Sequence, residues 1–528
     1  FVTDPKHPAS ITGSVSCAAL SAEPMPVLSG SFHLLPVDED RAETWTMTYD
    51  MVLQRSAGNI RFAGHKVLHQ RPGSSPWTDT TTLFVQLFEG TGGDERLLAQ
   101  GMLTLGLEDL LWQASTIKLG PPPGLPGRLE EHFPKARDAV ADVYLGRFAG
   151  FFGMTLFRAY GGLLADLNNF PALDLSTLAR RAIRTPSPQV HQVGVEDGFG
   201  IRLTRYAGGS RGPVILAPGF SVRASSFATD TVGTNLVEAL CAEGWDVWLF
   251  DYRASPDSGH STSPFSIDAI ARIDWPAAVA FVLEVTGATD VQAVAHCVGS
   301  MTLLMALLDG MKGVRSVISS QLTLHPVTGW LNEAKADLGA ARLLQGYAPL
   351  AGHFDSVPGT TDLDRQIDTL AWKVPMPVGE QCKSPLCHRV FSIFGPSYAH
   401  AQLNHATHTA LAEMFGSVSL RPFDQLSLMM QQGLAVDAEG RNVYVVPANA
   451  ARLALPITFV AGALNQLFVP ETCLRTQAWL SAFNDPALYT RHIFADYAHM
   501  DLFVGRDAAR DVYPFLLAQL ARFSPSPV

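Results

Sequence analysis

Cys297 stands where an apolar, β-leaning run meets an amphipathic helix. The run Val291-Gln-Ala-Val-Ala-His-Cys-Val-Gly-Ser300 passes straight into Met301-Thr-Leu-Leu-Met-Ala-Leu-Leu308. A strand that turns sharply into a helix lifts the turning residue above the sheet edge, and small flanking residues let the two backbones approach. Gly299 meets that need on one side, and Ala295 meets it on the other at the cost of one methyl. The helix that follows aims its first amides at the Cys297 sulfur, favouring a thiolate and a developing oxyanion alike. For the sulfur to attack it must lose its proton, and an imidazole within hydrogen-bond reach can take it. His499, in Asp496-Tyr-Ala-His499-Met-Asp-Leu-Phe-Val-Gly505, is the candidate base. Asn465, in Gly462-Ala-Leu-Asn465-Gln-Leu-Phe-Val-Pro470, is the candidate that orients its ring. A neutral amide suffices if a thiolate–imidazolium pair exists before substrate arrives. Asp501 or Asp496 could supply the acid instead.

Two backbone amides are candidate oxyanion donors: Val298, next after the sulfur, and Phe220, in Ala217-Pro-Gly-Phe-Ser-Val. Pro218 has no N–H to give. Ser221 and His325 are candidate pocket residues, and His296 reads as packing or hydrogen-bonding beneath the turn. No metal ligand set is assigned. Cys382 and Cys387, in Cys-Lys-Ser-Pro-Leu-Cys-His, could form a local disulfide or join His388 around a metal, but no second cluster at metal spacing is visible.

Around these residues lies a chain of 528, 47% hydrophobic and 16% charged, with net charge −11 and no Lys/Arg-rich run. That composition argues for large apolar cores and against nucleic-acid binding. Apolar stretches such as Phe148–Phe157 fall far short of the roughly 20 residues that span a bilayer. The start at Phe1, without a signal-like segment, reads as a processed or truncated product, so the compartment is open, with the cytoplasm slightly favoured.

Residues 1–120 read as an all-β sandwich or small barrel, from short β-rich segments such as those beginning at Thr44, Asn59 and Thr80. Phe32, Trp45, Phe62, Trp77, Phe84 and Phe88 read as its core. Residues 121–189 begin with Gly120-Pro-Pro-Pro-Gly-Leu-Pro-Gly127 and continue as a helical connector. Helices packed against neighbouring structure are favoured there over a membrane-surface or apolar-substrate contact. Residues 190–330 and 452–528 alternate strand and helix after a leading hairpin, which implies a mostly parallel sheet. Residues 331–451, mainly helical, read as an inserted cap whose one strand-like run is Asn442-Val-Tyr-Val-Val.

Chain order and motifs together resemble the α/β-hydrolase fold, in which nucleophile, acid and His follow one another. This chain departs at Asn465, where an Asp is usual, and at Cys297, where Ser is usual. Cys-His-Asn is the combination papain uses. The chain also resembles the C-terminal half of proteins that fuse a cholesterol-oxidase-like glucose-methanol-choline oxidoreductase to an α/β-hydrolase. That resemblance covers most of the chain and rests on Thr3-Asp-Pro-Lys-His-Pro, Trp77-Thr-Asp-Thr-Thr-Thr-Leu, Ala295-His-Cys-Val-Gly-Ser, the Gly462…Asn465…Pro470 loop and His499-Met-Asp…Gly505 followed by Asp511-Val-Tyr-Pro. It implies an upstream or separate flavin-oxidase domain and an apolar ester substrate, of the sterol or terpenoid kind. No Gly-x-Gly-x-x-Gly follows a strand here, so no cofactor is assigned to this chain.

Three functions compete. The first is hydrolysis of an ester, lactone or thioester through an acyl-Cys297 intermediate. The second passes the same acyl group to an alcohol or amine, as an acyltransferase or cyclase; polyhydroxyalkanoate synthases carry Cys at this turn, and so do dienelactone hydrolases, which hydrolyse. The third is a non-catalytic homologue that binds a ligand or partner, expected if Cys297 and His499 lie too far apart to couple.

Overall fold

The computed structural model describes residues 4–69, 76–90, 95–106, 109, 147–148, 150–156, 175, 178–337, 350, 352–377 and 379–524. The chain divides into two compact units, one of residues 1–169 and 376–383 and the other of residues 170–375 and 384–528.

The first unit is antiparallel throughout. Pro8–Ser10, Met25–Val37, Trp45–Leu53, Ile60–Leu68, Thr82–Glu89 and Arg96–Thr104 hydrogen-bond in that order, and Ser14–Val15 pairs with Met25–Val37. Among the described residues this is one continuous sheet, where a sandwich or barrel was expected. Alternation decides which face is inside. In Ile60–Leu68 every second residue is buried, as a pleated strand with one covered face requires. Phe148, Phe151, Phe152 and Leu156 pack against Leu34, Leu35, Met47 and Leu68. The described part of the connector thus covers its own unit's sheet. Phe62 is buried but Phe84 is exposed, and most of the connector lies outside the described residues, as does the side chain of Trp77.

The second unit carries the parallel sheet. Its strands are β1 (Gln189–Gly194), β2 (Gly200–Tyr206), β3 (Pro213–Ala217), β4 (Asp246–Asp251), β5 (Val291–His296), β6 (Val314–Ser320), β7 (Ile457–Gly462) and β8 (Tyr489–Phe494). Their order across the sheet is β8-β7-β6-β5-β3-β4-β2-β1. The hairpin β1–β2 and the pair β2–β4 are antiparallel, and every other pairing is parallel. β3, β5 and β7 are buried along their whole length, as strands covered by helices on both faces must be.

The inserted segment between β6 and β7 is mainly helical, with helices Trp330–Asp337, Asp362–Trp372, Pro385–Ile393, His405–Met414 and Pro422–Gln432. Its strands are not at Asn442–Val446, which forms bends. They are His353–Asp355 and Ser417–Ser419, paired antiparallel across sixty residues of sequence, a pairing no local pattern announces. No described helix is long and apolar enough to cross a membrane.

Candidate active site

β5 ends at His296, and Cys297 is the N-cap of the helix Val298–Asp309, with φ 54° and ψ −126°. A non-glycine residue held at positive φ is strained, and such strain persists only where the surroundings enforce it. Here the Cys297 amide donates to Ser320 O at 2.9 Å, tying the turn to the end of β6. Gly299 is obligatory: a Cβ there would sit 2.5 Å from the Pro218 carbonyl oxygen. That carbonyl also accepts the Tyr252 hydroxyl at 2.9 Å. Held from both sides, the loop after β3 keeps its next amides turned toward the sulfur. The amides of Val298 and Phe220 both act on the Cys297 sulfur and favour its thiolate.

Cys297, His499, His296, Val298 and Phe220 line one cavity. Much of the remaining wall comes from the cap: Ile393, Phe394, Phe415, Leu420, Phe423 and Met430, with Lys335 as the one cation among the described residues. Burial pushes the Cys297 thiol up to about 12, against the pull of the two amides. Burial, aided by the neighbouring His296, holds His499 well below the usual imidazole range. The resting pair is therefore neutral thiol and neutral imidazole, not the preformed ion pair expected from the helix dipole. Desolvation of both groups outweighs that dipole here.

The environment of His499 differs from the expected one. Asn465 does not orient its ring. The Asn465 side-chain oxygen accepts from the amides of Leu467 and Phe468 at 3.0 and 3.2 Å, and its nitrogen donates to Gln321 Oε1 at 2.7 Å. An Asn side chain that closes a turn onto its own following amides has no acceptor left for a distant ring. Asp496 is exposed and contributes only its backbone carbonyl, which accepts from Gln402. Asp501 is buried and its Oδ2 accepts the Ala498 amide at 2.8 Å, fixing the turn that carries His499. Among the described residues, His499 Nδ1 has no hydrogen-bond partner. The group against the ring is His296, its centroid 4.5 Å away.

Gln321 went unnoticed in the sequence. It sits one residue past the end of β6 at φ 73° and is fully buried. Its Nε2 donates to the carbonyls of Ala498 and His499 at 2.8 and 2.9 Å, and its Oε1 accepts from Asn465 Nδ2 and from the Gly462 amide. Asn465 thus acts on His499 at one remove, through this carboxamide. The available signal was position alone: residues just past the carboxyl ends of parallel strands collect at the site.

Two expected pocket residues are used elsewhere. Ser221, at φ 60°, donates to Gly416 O at 2.9 Å and pins the oxyanion loop to the cap. His325 Nδ1 lies 2.8 Å from Thr476 Oγ1 and belongs to the packing of the helix Glu471–Ser481. Neither lines the cavity. His296 does, with its Nδ1 3.2 Å from Ser320 Oγ.

The strand order and the strained turn have their counterpart in sequence comparison: residues 212–343 match the alpha/beta hydrolase fold family. The fold is an α/β-hydrolase fold. Over 356 residues the chain is 23% identical to Lipase lipl-1 of Caenorhabditis elegans, covering 61% of this chain and 86% of that protein. Over 160 residues it is 31% identical to the lysosomal acid lipase/cholesteryl ester hydrolase of Macaca fascicularis, covering 27% of this chain and 40% of that protein. The chain thus spans most of the nematode lipase but less than half of the macaque enzyme. A thermostable carboxyl esterase from Bacillus coagulans aligns in three dimensions with TM-score 0.42 at 15% identity, over 64% of this chain and 99% of that one.

The buried histidines of this α/β-hydrolase fold make its stability acid-sensitive. Burial lowers His296 from 6.5 to about 3. Between those values an unfolded chain binds a proton that the folded chain does not, so stability rises with pH and falls as the solution is acidified. The slope is about 1.4 kcal/mol per pH unit for each such residue. Urea midpoints measured from pH 7 downward should decline from about 6.5, and less steeply in His296→Phe.

Proposed function

We propose that this chain is a carboxylic-ester hydrolase that works on small apolar esters through an acyl-Cys297 thioester. The observation that carries the reading is the convergence of the Val298 and Phe220 amides on the Cys297 sulfur, in a cavity that also holds His499. The lipase and esterase relatives support the same reaction class.

As the sulfur bonds to the acyl carbon, its proton passes to His499 and the carbonyl electrons move onto oxygen. The two amides receive that oxyanion; they are already in place, so no reorganisation is needed as charge develops. The carbon–oxygen bond to the alcohol then breaks, and His499 returns the proton to the departing oxygen. Water attacks the thioester with His499 again taking a proton, and release of the acid restores the thiol. A thiol gives up its proton more readily than an alcohol, so the base can do without a carboxylate behind it. Gln321 and Asp501 hold the loop that carries His499 at the cavity wall.

The apolar cap wall selects the acyl or alcohol group by burial. Lys335, whose Nζ donates to Phe391 O at 3.2 Å, is lowered to about 8 by burial. It presents an ammonium to substrate below that pH and a neutral amine above it. Lys335→Met should tighten KM for neutral esters by roughly threefold to tenfold, the worth of one buried polar group. Any preference of the wild type for acyl chains ending in carboxylate should fade as pH rises through about 8, and the variant should lack it.

A p-nitrophenyl ester series of increasing acyl length tests the proposal. Turnover by the wild type, lost in His499→Ala, is the expected result. Failure to turn over any member, or equal rates in His499→Ala, would refute it.

A further inference from the structure

The cap brings sulfur and imidazole together at a second place, away from Cys297. Cys387 lies in the first turn of the helix Pro385–Ile393, His400 begins the short turn His400–Gln402, and His408 lies in the first turn of the helix His405–Met414. All three are buried. The Cys387 sulfur and a ring nitrogen of each histidine lie within 4.8 Å of one another. Cys387 Sγ is 3.3 Å from His408 Nε2, and the two imidazole rings are 5.1 Å apart. His388, the neighbour the sequence suggested, takes no part; its ring packs against Trp372, tilted by 35° with centroids 4.1 Å apart.

We propose that Cys387, His400 and His408 hold a structural zinc ion in the cap. Zinc takes thiolate at about 2.3 Å and imidazole at 2.0–2.1 Å in a tetrahedron, which sets its ligand atoms roughly 3.3–3.8 Å apart. The measured sulfur–nitrogen separation falls in that range, and the remaining spread closes with small side-chain rotations. Sulfur and nitrogen donors without carboxylates suit zinc better than calcium or magnesium. A Cys382–Cys387 disulfide would use the sulfurs but leave unexplained why two imidazoles from separate elements meet the same thiol. None of the three lines the cavity that holds Cys297, so the ion would not take part in ester chemistry.

Its place explains what it would do. Ser397 O accepts the Met500 amide, Gln402 O accepts the Arg506 amide, and Gln402 Nε2 donates to Asp496 O, at 2.9, 2.8 and 2.6 Å. The segment 397–402, with His400 inside it, therefore grips the loop that carries His499. Ser392 and Ile393, at the end of the Cys387 helix, and Phe415, just past the His408 helix, line the cavity. One ion would join the segment that holds the His499 loop to two helices that lead into the cavity wall.

The test is metal content of the untagged full chain, purified without chelator from zinc-supplemented cells. About one zinc per chain is expected, with metal affinity reduced on the order of 10–100-fold or more in Cys387→Ser and His408→Gln. Chelation should lower the thermal midpoint, and cobalt in place of zinc should show a thiolate-to-metal charge-transfer band. Should both variants fail to fold, the cobalt band of the wild type still decides. Three results would each overturn the proposal: no zinc bound and no cobalt band, zinc retained in both variants, or a Cys382–Cys387 disulfide in the purified chain. None of these readouts depends on ester hydrolysis.

Discussion

Cys297→Ala is expected to lower ester turnover by roughly 10⁴-fold or more, as removal of a covalent nucleophile does elsewhere. The fold should survive. The side chain shrinks by one sulfur, and the positive φ at this position is enforced by β6 and by the approach of Gly299 to the Pro218 carbonyl, neither of which depends on the thiol. Cys297→Ser is the more discriminating variant. Serine keeps the amides and the turn but presents an alcohol, which needs a base backed by negative charge. His499 Nδ1 has no such partner among the described residues. The serine variant should therefore remain close to the alanine variant. Recovery of a large share of activity would mean that a carboxylate reaches His499 during turnover.

Gln321→Met should give the second large effect, on both stability and rate. The carboxamide is fully buried and joins four partners, two where β7 ends and two in the loop after β8. Methionine fills similar volume but satisfies none of them. Each buried polar group left unmade costs about 1–3 kcal/mol, so a loss of several kcal/mol in urea unfolding is expected. The rate effect follows from position. Two of the lost hydrogen bonds hold the backbone at Ala498 and His499, and a displacement on the order of 1 Å at a catalytic base costs about 100-fold. A kcat that falls with KM little changed would separate misplacement of the base from damage to the cavity.

Much of the site was legible because it is local. A β-leaning run, one reactive residue, a glycine two positions on and a helix define the turn at Cys297, and the Val298 amide follows from the geometry of any helix start. Chain order pointed to the Phe220 amide and His499 as candidates, since parallel strands deliver their following loops to the same edge of the sheet. What sequence could not give was orientation. Asn465 occupies the expected loop, but whether its amide faces a ring or its own turn depends on how Gly462 and Gln321 pack, across more than a hundred residues. Gln321 carries no motif at all. The protonation state was not readable for a related reason. The helix N-terminus is visible in sequence, while the depth of burial that overrides it is set by the cap.

The same distinction applies to the larger architecture. Alternation identified the antiparallel first unit, but one sheet and a sandwich share the same alternation, so the number of layers was not readable. In the cap, helices were evident from spacing. The pairing of His353–Asp355 with Ser417–Ser419 was not, because each strand is three residues long and finds its partner only in the folded chain.

The most direct test of the account is the intact mass of the wild type and of Cys297→Ala after brief exposure to a panel of activated acyl esters. The account predicts an adduct of one acyl mass on the wild type alone, lost again in water with release of the acid. Faster loss to added alcohols or amines would assign the second half of the reaction to transfer instead. An adduct that also forms on Cys297→Ala, or no adduct with any ester while Cys297 remains open to alkylation, would contradict an acyl-cysteine intermediate.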